Sequence, residues 1–227
     1  MSGAFTLPDA ADVEAMTAEE ILAVVLNAFP GKVSLACSFQ KEEAVLLDLL
    51  LSLDPKARVF ALDTHVLFPE TYAVWRAVEQ RYGTKVEVYE GPSLGRQAAI
   101  HGDELWKSKP DLCCAIRKVG PLNEALAELD CWITGMRRDQ SPARANAPKL
   151  GWDEAHGLWK ANPLADWTDE LVWATIKERD LPYNQLHDSG YSSIGCTHCT
   201  EPGEGREGRW AGQSKVECGL HVPKQIA

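Results

Sequence analysis

The stretch "KVSLACSFQKEEAVLLDLLLSL", residues 32–53, decides the fold. Its first seven residues are a short β-rich run, and from about Glu42 to Leu53 the apolar residues follow helical spacing. Between the two lies "SFQKEE", residues 38–43. A loop passing from a strand into a helix presents free amides at the helix N-terminus, where partial positive charge attracts phosphate or sulfate. Ser38, Phe39 and Gln40 are therefore candidate ligand-binding residues, and an ordinary N-cap at Ser38 is the competing reading. The G-x-x-x-x-G-K-[ST] pattern of a Walker A loop is absent.

The same alternation extends outward. Upstream, "TAEEILAVVLNAF" opens with Thr17 and Glu20 in capping-box spacing and continues as an amphipathic helix. Downstream come a strand "RVFALD", a helix "PETYAVWRAVEQRYG" with Pro69 near its first turn, a strand "KVEVYE", a helix around "GPLNEALAEL" and a strand "CWITG". Strands alternating with helices predict an α/β fold with a parallel sheet and right-handed crossovers. Ligands then bind beyond the carboxyl ends of the strands. The loops there are "SFQKEE", "DTHVLFPET" with Asp63 and Thr64, and "GMRRDQSPAR" with Arg137, Arg138 and Arg144.

From about residue 140 the pattern weakens into proline, glycine and asparagine, with one clear helix, "TDELVWATIKERD", capped by Thr168. The glycine-rich segment "EPGEGREGRWAGQSK", residues 201–215, reads as a mobile linker. The expected organisation is a nucleotide-binding unit over residues 1–200 and a flexible C-terminal segment over 201–227 that carries Cys218.

The net charge of −10 over 227 residues speaks against nucleic acid and anionic membranes as partners. An anionic small substrate then needs a local basic pocket. Arg137, Arg138 and Arg144, with Arg206 and Arg209 of "GREGRW", are candidates, because arginine forks match phosphate and sulfate oxygens; pairing with surface acids is the alternative for each. The N-terminus lacks a basic signal region, and the apolar run "AVLLDLLLSL" is interrupted by Asp48, so a cytoplasmic protein is expected.

Seven cysteines in a reducing compartment read as thiols or metal ligands. Cys113 and Cys114 are adjacent in "DLCCAIRKVGPL", and Cys196 and Cys199 form a C-x-x-C in "SIGCTHCT". Four thiolates from two distant segments suit an iron–sulfur cluster or a structural zinc. Neighbouring thiolates are hard to aim at one tetrahedral ion, whereas a cubane offers them separate iron corners. A redox pair or plain buried thiols is the third reading. His198, inside the C-x-x-C, is expected to face solvent. Cys37 and Cys131 sit in strands and read as buried apolar residues. His65, His101, His156 and His187 lack ligand spacing, and His187 is expected to satisfy backbone groups. On local grounds Cys218, between Lys215 and His221 on a polar tail, is either an incidental exposed cysteine or a nucleophile.

The ordered set "SFQKEEAV", "LDTHVLFPETY", "CCAIRKVGPL", "GMRRDQSPAR", "LPYNQLHDSGYSSIGCTHCT", "GRW" and "ECGLH" resembles the adenylyl-sulfate/phosphoadenylyl-sulfate reductase family, from about residue 33 to 221. One departure is that Gln40 and Lys41 follow "SF", where a small residue or glycine is common. The resemblance implies an adenine-nucleotide α-hydrolase-like fold. It also implies a [4Fe-4S] cluster on Cys113, Cys114, Cys196 and Cys199, and catalysis by Cys218 with Lys118, Arg206 and Arg209. The implied reaction is reduction of adenylyl sulfate to sulfite and AMP through a cysteine S-sulfonate, with thioredoxin or a similar dithiol as donor; a homo-oligomer is allowed. Phosphoadenylyl sulfate as substrate, and an ATP-pyrophosphatase-type adenylating enzyme, are the alternatives.

Overall fold

The computed structural model describes residues 7–211, 215 and 218–221. The helices are α1 (Ala10–Ala15), α2 (Ala18–Ala28), α3 (Lys41–Leu53), α4 (Pro69–Tyr82), α5 (Leu94–His101), α6 (Leu105–Ser108), α7 (Pro110–Cys114), α8 (Gly120–Leu126) and α9 (Asp169–Glu178). A π-helical turn, Ala115–Val119, joins α7 to α8. The strands are β1 (Val33–Ala36), β2 (Arg58–Asp63), β3 (Glu87–Glu90), β4 (Cys131–Ile133), β5 (Leu150–Asp153) and β6 (Leu158–Ala161).

The strands form one sheet in the order β3-β2-β1-β4-β6-β5. β1 runs parallel to β2 and β4, and β2–β3 and β4–β6 are also parallel. From β1 the chain moves outward to β2 and β3, then returns to place β4 on the other side of β1. The order therefore reverses between β1 and β4, which opens a crevice at their carboxyl ends.

The period-2 alternation of the strands feeds two cores. Leu35, Val59, Ala61, Cys131 and Ile133 pack on one face with Ile21, Leu22 and Val25 of α2 and Leu46, Leu47 and Leu50 of α3. Phe60 and Trp132 point to the other face, against Leu122, Ala125 and Leu126 of α8. Covered on both sides, the central strands are mostly apolar, as "CWI" and, but for the buried Ser34, "VSLA" are. The capping box at α2 is present, with Glu20 N–H on Thr17 Oγ1 at 3.2 Å and Thr17 N–H on Glu20 Oε2 at 2.8 Å.

The region after residue 140 departs from expectation. "LGWD" and "LWKA" form a hairpin, β5–β6, which adds an antiparallel edge strand to an otherwise parallel sheet. The described part of the glycine-rich segment touches the body of the protein. Glu201 N–H bonds Gly208 O at 2.9 Å, Trp210 N–H bonds Cys199 O at 3.0 Å, and Trp210 is only 2% exposed. An indole that large returns the glycine-rich chain to the body, because leaving it in water forfeits its burial. Among the described residues no helix is long and apolar enough to cross a membrane.

Just past β4, Arg137 is 3% exposed and uses its whole fork on carboxylates: Nε lies 3.1 Å from Glu42 Oε1, Nη1 2.5 Å from Asp139 Oδ2 and Nη2 2.7 Å from Asp169 Oδ1. Lys41 bonds the same Asp169 carboxylate. The cluster ties the start of α3 to the loop after β4 and to α9. Replacing Arg137 by Met leaves Glu42 buried without its countercharge, at a cost of about 3 kcal/mol in unfolding free energy. Urea denaturation checks this, and a loss below about 1 kcal/mol contradicts it.

Candidate active site

At the β1/β4 reversal lies a cavity of about 160 Å³. Its walls include Ser38, Phe39, Gln40, Thr64, Lys118, Arg144, Arg206, Arg209 and Cys218. Those nine were singled out in the sequence. Asp63, Arg137 and Arg138 were as well, but they do not line it. Asp63 instead accepts from Tyr72 Oη and His65 N–H, both at 2.7 Å, which shapes the loop that carries Thr64. Arg137 is held in the carboxylate cluster, and Arg138 pairs with Glu14 Oε2 at 2.6 Å. Asp139 of "GMRRDQ" holds Arg137 in part, but Glu42 and Asp169 for Arg137 and Glu14 for Arg138 are distant in sequence.

The loop after β1 is the most constrained part of the wall. Phe39 takes a left-handed backbone, φ 58°, which costs a bulky residue free energy. Its ring is buried and stacks on Trp75, centroids 4.9 Å apart, which holds the strained turn. The N-cap of α3 is Gln40 and not Ser38. Ser38 Oγ donates to Glu43 Oε2 at 2.8 Å, and Gln40 N–H donates to the same oxygen at 3.2 Å. A Cβ on Gly135, after β4, would stand 2.5 Å from Glu43 Oε1, so only glycine lets the two loops meet here. Burial, then the neighbouring Glu42, raises the Glu43 carboxyl to about 7 against the hydrogen bonds it accepts.

The other wall comes from the end of the chain. Cys218, 9% exposed, packs with Cys114 and Trp210, with Cys199 and Leu220 alongside. It is therefore buried, where both local readings of the sequence took the thiol as exposed. His221 stacks on Trp132 at 5.5 Å, and its Nδ1 accepts from Lys160 Nζ at 3.1 Å. An ammonium only donates, so the ring proton sits on Nε2. Burial, then Lys160, Arg144 and Arg206, holds this imidazole well below its ordinary range, so it is neutral. Burial also pushes Lys118 down, but Cys196, Cys218 and Cys114 together outweigh it and hold the ammonium above its ordinary value.

Behind Lys118 a second, smaller cavity is lined by Cys113, Cys114, Cys196 and Cys199, together with Arg117, Trp106 and Trp210. The structure thus brings the four distant thiols to one place. Burial raises Cys113 and Cys114, and burial with the neighbouring Cys196 pushes Cys199 up to about 11. Cys196 Sγ lies 3.4 Å from Thr64 Oγ1, so the thiol site and the larger cavity share a wall. Among the described residues no three His, Cys, Asp or Glu side chains form a group able to hold a metal ion. His198 is exposed and stacks on Trp106, and His187 Nδ1 meets Tyr191 O at 2.7 Å; Cys37 and Cys131 are buried.

Glu43, Lys160 and Trp132 were missed as parts of the site. Glu43 looked like an ordinary first-turn acid, and the other two belong to strands whose direction only the sheet order reveals. His221 had been noted merely as a neighbour of Cys218.

Residues 32–202 match the phosphoadenosine phosphosulfate reductase domain model. A phosphoadenosine 5'-phosphosulfate reductase of Gloeobacter violaceus is 47% identical over 217 residues, covering 92% of this chain and 90% of the relative. Adenosine 5'-phosphosulfate reductases of Salinibacter ruber and Shouchella clausii are 44% and 46% identical, over 89% and 90% of this chain and 82% and 87% of theirs. The crystal structure of a phosphoadenylyl-sulfate reductase from Candida auris, a phosphate complex, superposes with a TM-score of 0.76 at 30% identity, over 88% of this chain and 100% of that one. Candida glabrata FMN adenylyltransferase shares the fold alone, with a TM-score of 0.58 at 17% identity over 85% of this chain and 66% of that one. An adenine-nucleotide α-hydrolase-like sheet, a family model matched over residues 32–202 and near full-length relatives at 44–47% identity agree: the chain belongs to the phosphoadenosine phosphosulfate reductase domain family.

Proposed function

We propose that this protein reduces adenylyl sulfate to sulfite and AMP, with Cys218 as nucleophile and a thioredoxin-like dithiol as reductant. The supporting observation is that Cys218 shares one cavity with the Ser38–Gln40 loop and with Lys118, Arg144, Arg206 and Arg209. A thiol facing an anion loop across a set of cations suits attack on a sulfated phosphate. The Salinibacter and Shouchella relatives carry the matching name.

In the first step the Cys218 thiolate attacks the sulfur of adenylyl sulfate. An S–S bond forms, the S–O bond breaks, and its electron pair leaves on the phosphate oxygen of AMP. Lys118, Arg206 and Arg209 offset the sulfonate charge that would repel the thiolate, and they stabilise the charge developing on the leaving phosphate. In the second step a thiolate of the reductant attacks Cys218 Sγ and sulfite departs with the bonding pair. The reductant's second thiol then closes a disulfide and restores Cys218.

Cys113, Cys114, Cys196 and Cys199 are proposed to hold a [4Fe-4S] cluster. Four thiols that ring one cavity match the thiolate donors that such a cluster takes. Such a cluster would supply fixed charge beside Lys118.

Reduction of phosphoadenylyl sulfate is the second reading, favoured by the names of the Gloeobacter and Candida auris proteins. Competition between the two nucleotides at equal concentration separates them.

Three outcomes are expected. Incubation with adenylyl sulfate and no reductant gives a sulfonate adduct in the intact mass, and Cys218→Ser abolishes it; an adduct that survives the substitution refutes the nucleophile. Protein purified without oxygen contains about four irons and four sulfides per chain, whereas one zinc without iron refutes the cluster. Finally, AMP affinity falls as pH rises through about 7, because Glu43 gains its charge beside the anion loop there. The raised pKa also means that its stability contribution is full below 4.5 and lost through about 7. Glu43→Gln should flatten both profiles in calorimetry and thermal melts, and unchanged profiles would reject this assignment.

A further inference from the structure

Two loops separated by 154 positions meet through one side chain. Gln40 Oε1 accepts the Ile194 N–H at 2.7 Å, while Gln40 Nε2 donates to Ser38 Oγ at 3.1 Å. The backbone N–H of Gln40 is held by Glu43 Oε2. Ile194 is 4% exposed and stands two positions before Cys196. Its carbonyl is held from the other side, since Arg209 Nη1 donates to Ile194 O and to Ser193 Oγ, both at 3.2 Å. A Cβ on Gly195 would lie 2.6 Å from Arg209 Cζ, so this glycine keeps the guanidinium against the loop. The peptide leading into Cys196 is thus fixed between a residue of the anion loop and an arginine of the cavity wall.

We propose that Gln40 is a positioning residue that couples occupancy of the anion loop to the geometry of the Cys196–Cys199 loop. The proposal rests on the nucleotide reading above. A phosphate taken by the Ser38–Gln40 loop, where Glu43 already holds the Gln40 N–H, must settle the residue whose side chain holds Ile194. Any adjustment there passes directly to the peptide entering Cys196, through one hydrogen bond and two backbone steps. The coupling is reciprocal, so the state of the cysteine loop also sets nucleotide affinity.

Amide hydrogen exchange of the segment 192–200, measured with and without AMP on the full chain as purified, tests the proposal. At AMP concentrations that calorimetry shows to be saturating, exchange in the wild type should slow about 5-fold or more. Gln40→Met, similar in shape but without the hydrogen bonds, should bind AMP more weakly and, at its own saturating AMP concentration, lose the slowing. Gln40→Glu, which keeps an acceptor for the Ile194 N–H, should retain it. If Gln40→Met gives no cooperative melt, Gln40→Asn, too short to span the gap, should show the same loss. Equal slowing in the variants that lack the bond, or AMP binding to the wild type without slowing, would overturn the coupling alone. Failure of AMP to bind the wild type at all would remove the nucleotide reading together with it.

Discussion

β1 lies between β2 and β4 and runs parallel to both, and this placement dictates where chemistry can occur. A strand buried on both faces offers its side chains only to the core, so the ligand-facing groups must come from the loops beyond its carboxyl end. The order reversal leaves those loops without a helix packed over them. Ser38–Gln40 after β1, Thr64 after β2 and Gly135 after β4 accordingly border one cavity. The crowding is visible in the backbone: Phe39 is strained, and Gly135 has no room for a side chain beside Glu43. Such strain persists only where the surroundings over-determine it, here through the Trp75 stack and the Glu43 hydrogen bonds.

Charge is sorted on the same frame. The chain carries ten more acids than bases, yet the cavity gathers Lys118, Arg144, Arg206 and Arg209. Several basic side chains are matched by acids: Arg58 by Glu87, Arg137 by Glu42, Asp139 and Asp169, Lys41 by Asp169, and Arg138 by Glu14. "GMRRDQSPAR" shows why composition cannot do this sorting. Three arginines occur within eight positions, and of these only Arg144 reaches the cavity; Asp139, two positions along, and Glu42, distant in sequence, hold Arg137.

The elements that could be read in advance carried two local signals at once. α2 had both helical spacing and the Thr17–Glu20 box, and "RVFALD" had continuous apolar character ahead of a proline-started helix. β5 and β6 had neither. "LGWD" is a half-exposed edge strand, and "LWKA" becomes a strand because β4 supplies its partner. The four cysteines were legible as a group because their spacing is chemical rather than structural. The burial of Cys218 was not, since it depends on Trp210 and Leu220 closing over a thiol whose neighbours in sequence are polar.

That burial gives the two halves of the proposed reaction opposite requirements. Attack on a sulfated nucleotide benefits from a cationic cavity, and Cys218 shares one with Lys118, Arg144, Arg206 and Arg209. Transfer to a dithiol protein requires the same Sγ to be reached from outside, past Cys114 and Trp210. The contacts that seat residues 218–221 are of a kind that can be broken separately: a stack of His221 on Trp132, one hydrogen bond from Lys160, and the packing of Leu220. The Cys199–Trp210 turn, by contrast, is tied by backbone hydrogen bonds that need not open. On this reading the second half-reaction requires the Cys218 segment to be unseated, and a reductant that binds the unseated form favours that state.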